Sequence, residues 1–193
     1  MPNTKSSLQQ SDQEKCTKTY TTLLRLLDLS REHGEKLLAR GFSAEEIKKN
    51  GYKTFPIKRR ELVSRLIEKV GAEGLEGVPG FWRKENGEWD LAGKSGTCIP
   101  VRDETGQIIS IKIRVDKPST PSRKYLLLSS NPKPDPKTGE IKYIAGTSAK
   151  IALHYPLGRS KTTKVLRITE GEIKADIASS LTEVYTISLP GVA

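Results

Sequence analysis

Val165-Leu166-Arg167-Ile168-Thr169-Glu170-Gly171-Glu172 is the stretch whose reading decides the fold. Residues 165–169 are rich in β-branched and apolar side chains and predict a buried strand. A helical pattern follows at once over 172–181, with Ile173, Ile177 and Leu181 on one face. A second strand is expected over Val184–Leu189. Strand, helix and strand in that order make a βαβ unit. Glu170 then stands at the carboxyl end of a strand, facing the amino end of a helix. In open α/β sheets that crevice is where ligands and phosphates bind. The sequence stops at Ala193, one such unit later, so a fragment of a longer protein is expected.

Immediately before this unit the charge is uneven. Between Ile111 and Lys164 there are twelve basic residues against Asp116, Asp135 and Glu140, which accounts for +9 of the chain's net +10. That asymmetry suggests a polyanionic partner, most often nucleic acid. Within the segment, Ile109, Ile111, Ile113 and Val115 alternate with Ile108, Ser110, Lys112 and Arg114. The first set predicts a core face, and the second projects Lys112 and Arg114 together from the other face as a backbone-binding surface. Further strands are expected over Lys124–Ser129 and Ile141–Ile144, with a linker over 158–164. Asn86-Gly87 signals a two-residue hairpin turn, which would set Trp82 opposite Leu91, Lys84 opposite Trp89 and Arg83 opposite Asp90.

Towards the N-terminus, helices dominate. Residues 1–18 are polar and predict a disordered tail. Tyr20, Leu23, Leu24 and Leu27 then share a helical face. Ser30 caps a second helix, Ser43 with Glu46 forms a capping box for a third, and Lys58–Val70 carries a stripe of Leu62, Val63, Leu66, Ile67 and Val70. A helix-turn-helix reading at Gly41-Phe42-Ser43 fails, because Ala44-Glu45-Glu46 puts acid where phosphates would lie. The fold class is therefore α+β: a small N-terminal helical bundle over 19–75, an antiparallel β basin over 76–160, and the start of an α/β domain over 161–193.

Composition and motifs narrow the function. No apolar run reaches the ~20 residues that span a bilayer, and no signal pattern opens the chain, so a cytoplasmic setting without a membrane partner is expected. Cys16 and Cys98 fit neither a disulfide framework nor a zinc site. Gly93-Lys94-Ser95 lacks the spacing and the following helix of a phosphate loop. His33 and His154 have no partners at triad or metal spacing and are expected to be structural or exposed.

The block from Thr97 to Ala193 resembles the catalytic core of bacterial DnaG-type primases. The matching pieces, in order, are IPVRDETGQIISIKIRV, Arg123-Lys124-Tyr125-Leu126, His154-Tyr155-Pro156-Leu157-Gly158 and ITEGEIKADIASSLTEVYTISLPGVA. The last resembles the first half of a Toprim domain, and the whole arrangement is similar to Toprim-like domain proteins of phages, plasmids and other mobile elements. The resemblance implies that Glu170 is the Toprim glutamate, acting as general acid or base in magnesium-dependent nucleotidyl transfer. Gly171 would allow close approach of phosphate. Lys112, Arg114, Arg123, Lys124 and Lys150 would contact nucleic acid or nucleotide. Single-stranded DNA is the implied partner, with a helicase or replication protein beside it.

The Asp-x-Asp pair that completes a Toprim metal site does not occur in this sequence, and neither does a zinc ribbon. Mg2+ is therefore expected only in a complete protein, with Glu170 as one ligand, and this chain alone is expected to be inactive. Two alternatives follow: a non-catalytic nucleic-acid-binding or adaptor module, and part of a Toprim nuclease.

Overall fold

The computed structural model describes residues 4–190 except 133, 136, 142, 159–163 and 183. It is an α+β protein. Helices α1 (Thr4–Arg25), α2 (Arg31–Leu38) and α3 (Ala44–Asn50) lead into strand β1 (Lys53–Phe55) and helix α4 (Arg60–Val70). Strands β2 (Phe81–Arg83), β3 (Trp89–Leu91), β4 (Gly96–Arg102), β5 (Ile108–Val115) and β6 (Tyr125–Leu127) follow. The chain closes on β7 (Leu166–Glu170), α5 (Glu172–Leu181) and β8 (Tyr185–Leu189).

The centre is a four-stranded antiparallel sheet in the order β1-β4-β5-β6. Every residue of β4 is buried, because both faces of the sheet are covered. Cys98, Ile111, Ile113 and Val115 point into one core with Tyr20, Leu23, Leu24 and Leu27 of α1 and Leu62, Val63 and Leu66 of α4. Ile99, the next residue along β4, points the other way. It joins Leu37, Phe42, Ile47 and Tyr52 from the α2–α3 region and Ile173 of α5. Alternation along one strand thus divides the helices between two layers. One core also draws on both sides of residue 75, and β1, from the helical segment, forms an edge of the central sheet.

Five local expectations are corrected. α1 begins at Thr4, where disorder was predicted over 1–18. Its second half is tied to the sheet: Gln13 donates to Asp103 at 2.7 Å, Thr17 donates to the carbonyl of Ile108, and Cys16 packs on the core. The hairpin pairs Phe81 with Leu91, Trp82 with Asp90 and Arg83 with Trp89, one residue out of the predicted register. The cause is a three-residue loop, closed by Lys84 N–H donating to Glu88 O, with Gly87 at φ +83°. In β5 the pairing jumps from Arg102↔Ile108 to Val101↔Ser110, a bulge that puts Ile108 rather than Ile109 against the core. Finally, β7 is exposed rather than buried, with Leu166 53% and Ile168 56% accessible. Among the described residues it pairs only with β8, in parallel, and α5 packs chiefly on β8. Among the described residues of the expected strand 141–144, the pairing is an isolated bridge, Arg83↔Ile144. Most of the predicted linker, 159–163, lies outside the described residues.

The histidines are buried and partnered, and their partners come from distant segments. His33 bonds Thr54 at 2.8 Å and Asp116 at 2.7 Å. His154 Nδ1 accepts the backbone N–H of Arg102 at 3.2 Å, which leaves the ring proton on Nε2, 3.0 Å from Asp176 Oδ1. The other Asp176 oxygen accepts the hydroxyl of Tyr52. Arg102 extends the cluster by donating to the carbonyl of Asn50 at 2.7 Å. Asp176, His154, Tyr52 and Arg102 are all buried. Burial pulls the Arg102 guanidinium below its usual range, and nearby Asp176 opposes that shift. The two cysteines are free, and burial raises the pKa of both thiols, with Asp12 adding to the shift at Cys16.

Two predictions follow from this packing. Asp176→Ala leaves Tyr52 and His154 without their shared acceptor and removes the negative charge that offsets the burial of Arg102. Breaking a buried charged network in this way costs about 3–5 kcal/mol, so the urea midpoint should fall steeply. A surface change such as Glu35→Ala should leave it nearly unmoved. The second concerns alkali. Burial raises both Tyr20 and Tyr52 well above their ordinary value, with Cys16 and Asp176 adding respectively. The folded state therefore holds phenolic protons that the unfolded chain begins to lose near pH ~10. Stability should be intact below that pH and decline as pH rises beyond it. Thermal melts of wild type and Tyr20→Phe across that range check this, and the variant should show the shallower decline.

Candidate nucleic-acid interface

Alternation along β5 places Ser110, Lys112 and Arg114 on the face opposite Ile111, Ile113 and Val115. This is the face that α5 covers. Lys112 pairs in register with Ile99, which packs with Ile173 of α5. The expected cationic strand face is therefore roofed by the amino end of α5 rather than open to solvent. Between the two lies a cleft of about 570 Å³.

The Glu170-Gly171 turn forms one wall of this cleft. β7 ends at Glu170, and Gly171 turns the chain into α5 with φ +90° and ψ 130°. A Cβ at Gly171 would meet nothing within 4 Å, so the requirement for glycine is conformational rather than steric. No side chain caps α5. Its first-turn N–H groups and positive dipole end are therefore set beside Glu170, in a geometry that favours anions.

Of the residues singled out from the sequence, Glu170, Gly171, Lys112, Lys124 and Lys150 line this one cleft. They come from β7, β5, the turn before β6 and the loop that follows it, so the fold gathers groups that are far apart in the sequence. Arg114 and Arg123 do not line it. Arg114 has a buried Nε without a hydrogen-bond partner, and Arg123 is exposed on the 3-10 turn Pro121–Arg123. The structure adds Arg40 and Lys174 to the lining. Arg40 follows α2 and is carried there when Leu37 and Phe42 pack against Ile173; no local sequence signal marks it. Five cations then face two carboxylates, Glu170 and Glu172.

The second carboxylate is not free. Glu172, the first residue of α5, forms an ion pair with Lys112, and both side chains are largely buried, at 4% and 13% accessibility. Ser110, beside them in the lining, has a buried hydroxyl without a hydrogen-bond partner. Among the described residues no cluster of three or more His, Cys, Asp or Glu could hold a metal ion. The donor set offers Glu170 alone, since Lys112 engages Glu172, so these residues do not by themselves fit a magnesium site. No described helix is long and apolar enough to cross a membrane.

No protein-family model matches the sequence, and no curated protein matches it. Solved structures do match. The zinc-binding and RNA polymerase domains of Aquifex aeolicus primase share 20% identity, with a TM-score of 0.67 over 94% of this chain and 43% of that one. The RNA polymerase domain of Mycobacterium tuberculosis primase DnaG, solved with double-stranded DNA, shares 15% identity, with a TM-score of 0.67 over 93% of this chain and 56% of that one. A DnaG primase catalytic domain bound to single-stranded DNA shares 14% identity, with a TM-score of 0.62 over 95% of this chain and 56% of that one. The chain spans about half the length of these proteins. Its helices, central sheet and final β–α–β unit share the fold of the corresponding part of these DnaG-type primase domains.

Proposed function

We propose that this chain binds single-stranded nucleic acid in the cleft between β5 and the amino end of α5, as the basin of a primase-like Toprim protein in mobile-element replication. The observation that supports the reading is the convergence of Lys124, Lys150, Arg40 and Lys174 on the Glu170-Gly171 turn. A phosphodiester backbone needs cations at its phosphates and, close by, backbone N–H donors that admit an oxygen without steric conflict. The uncapped first turn of α5 beside Gly171 supplies the donors, and the lysines supply the charge. Glu170, at the end of β7, is the group that in this reading would exchange a proton with a hydroxyl brought into the cleft. In nucleotidyl transfer, metal ions neutralise phosphate charge. The carboxylates of this cleft do not complete such a centre, so no catalytic step is assigned to the chain alone.

Binding without catalysis is the second reading, and the engagement of Glu172 by Lys112 favours it. The two readings share the binding step and diverge only in what Glu170 does. Fluorescence anisotropy with a labelled oligothymidylate over a salt series tests that step. Affinity should fall linearly with salt on logarithmic axes, with a slope of about −0.7 per phosphate neutralised. The double reversal Lys124→Glu/Lys150→Glu should weaken binding at least tenfold and flatten the slope by about 0.7 for each phosphate left without its cation. Unchanged affinity and slope in that variant would overturn the proposed surface. Glu170→Gln should leave binding intact or slightly tighter, since it removes a negative charge from the phosphate path.

A further inference from the structure

The Lys112–Glu172 pair is at odds with the cleft that contains it. A site built to receive phosphates gains from every free cation, yet here one lysine faces a carboxylate of the same chain. Stability does not explain the arrangement. Taking two charges out of water costs several kcal/mol per ion, and neutral side chains of similar volume generally serve as well or better. Nor does helix capping explain it. An acid at the first position of α5 gains at most about 2 kcal/mol from the dipole, less than the several kcal/mol that burying a charge costs, and Glu172 is only 3% accessible. Its location is more telling. Glu172 follows Gly171 directly, and Lys112, Lys124 and Lys150 lie around the same cavity.

The geometry points to Glu172 as the residue that limits polyanion affinity: it occupies Lys112, so the bound strand is neutralised by the remaining cations and not by Lys112. This rests on the reading of the cleft as a single-strand site. Lys112 serves as a positioning residue. It holds Glu172, and through it the start of α5, against β5. The pair is electrically neutral toward phosphate, and Glu172 stands as an internal competitor that an incoming strand does not displace.

The test uses oligothymidylate binding by the full chain over a salt series, with thermal melts of each variant. Glu172→Gln keeps the shape and frees the lysine charge. Affinity should rise roughly fivefold, the worth of about one close charge pair in water, and the salt slope should steepen by about 0.7, one added single-strand phosphate. The neutral double variant Lys112→Met/Glu172→Gln should bind within twofold of wild type with an unchanged slope.

A merely structural pair would lower the melting temperature in Glu172→Gln and leave the slope alone; that result overturns the inference. So does a double variant that binds more weakly with a flatter slope, because Lys112 would then be a phosphate contact in the wild type. Should Glu172→Gln fail to fold, the double variant decides alone by the same criterion. If neither wild type nor Glu172→Gln binds, both this inference and the proposed function fail. If wild type binds and loses affinity in Lys124→Glu/Lys150→Glu while Glu172→Gln matches it, only this inference fails.

Discussion

The carboxylate of Asp176 is the constraint on which the arrangement depends. It sits on the inner face of α5 and accepts from Tyr52, at the end of the α2–α3 region, and from His154, in the loop before β7. His154 is fixed in turn by the backbone of Arg102 at the end of β4 and by a bridge to Ser188 in β8. Four separate segments are thus joined through one acidic group. A buried charge is costly unless every lone pair has a partner, so the network is satisfied only when all four segments are in place. The position of α5, and with it the Glu170-Gly171 turn, follows from that demand.

Because α5 is held there, the sheet carries helices on both faces, and the polar side of β5 has two functions. Near its middle it meets the start of α5, where Lys112 and Glu172 neutralise each other. Beyond that contact the surface opens into a cleft with unopposed lysines. Charge density in the cleft is therefore set by packing as much as by composition. The +9 segment of the sequence overstates the charge of the cleft, since neither Arg114 nor Arg123 lines it. Arg40 and Lys174, both from outside that segment, restore part of the difference.

Elements governed by local rules were legible in the sequence. The capping box of Ser43 and Glu46, the apolar stripe of α4 and the order and approximate bounds of β7, α5 and β8 match the sequence reading, although the burial expected of β7 does not. Each is specified by residues within a few positions of one another. Errors arose where one residue of register or a distant partner decides the outcome. The hairpin loop holds three residues instead of two because Asn86 accepts from Glu88 N–H and Gly87 takes the left-handed conformation. The β5 bulge follows the Asp103 turn, whose carboxylate is also bonded by Gln13, 90 residues away. α1 looks disordered by composition because its polar residues conceal tertiary anchors. At the site, single positions such as Glu170, Lys124 and Lys150 could be singled out, but the pairing of Lys112 with Glu172 depends on α5 docking over β5. No spacing within either segment encodes it.

The condition of the two thiols has a practical consequence for chemistry carried out on this protein. Cys98 lies at the heart of the core and Cys16 is half-covered on α1. Both are shifted toward the protonated form, and maleimides and disulfide reagents attack the thiolate. Burial thus lowers the reactivity of both native sulfhydryls, and a cysteine introduced on the exposed rim of the cleft would be attacked in preference to them.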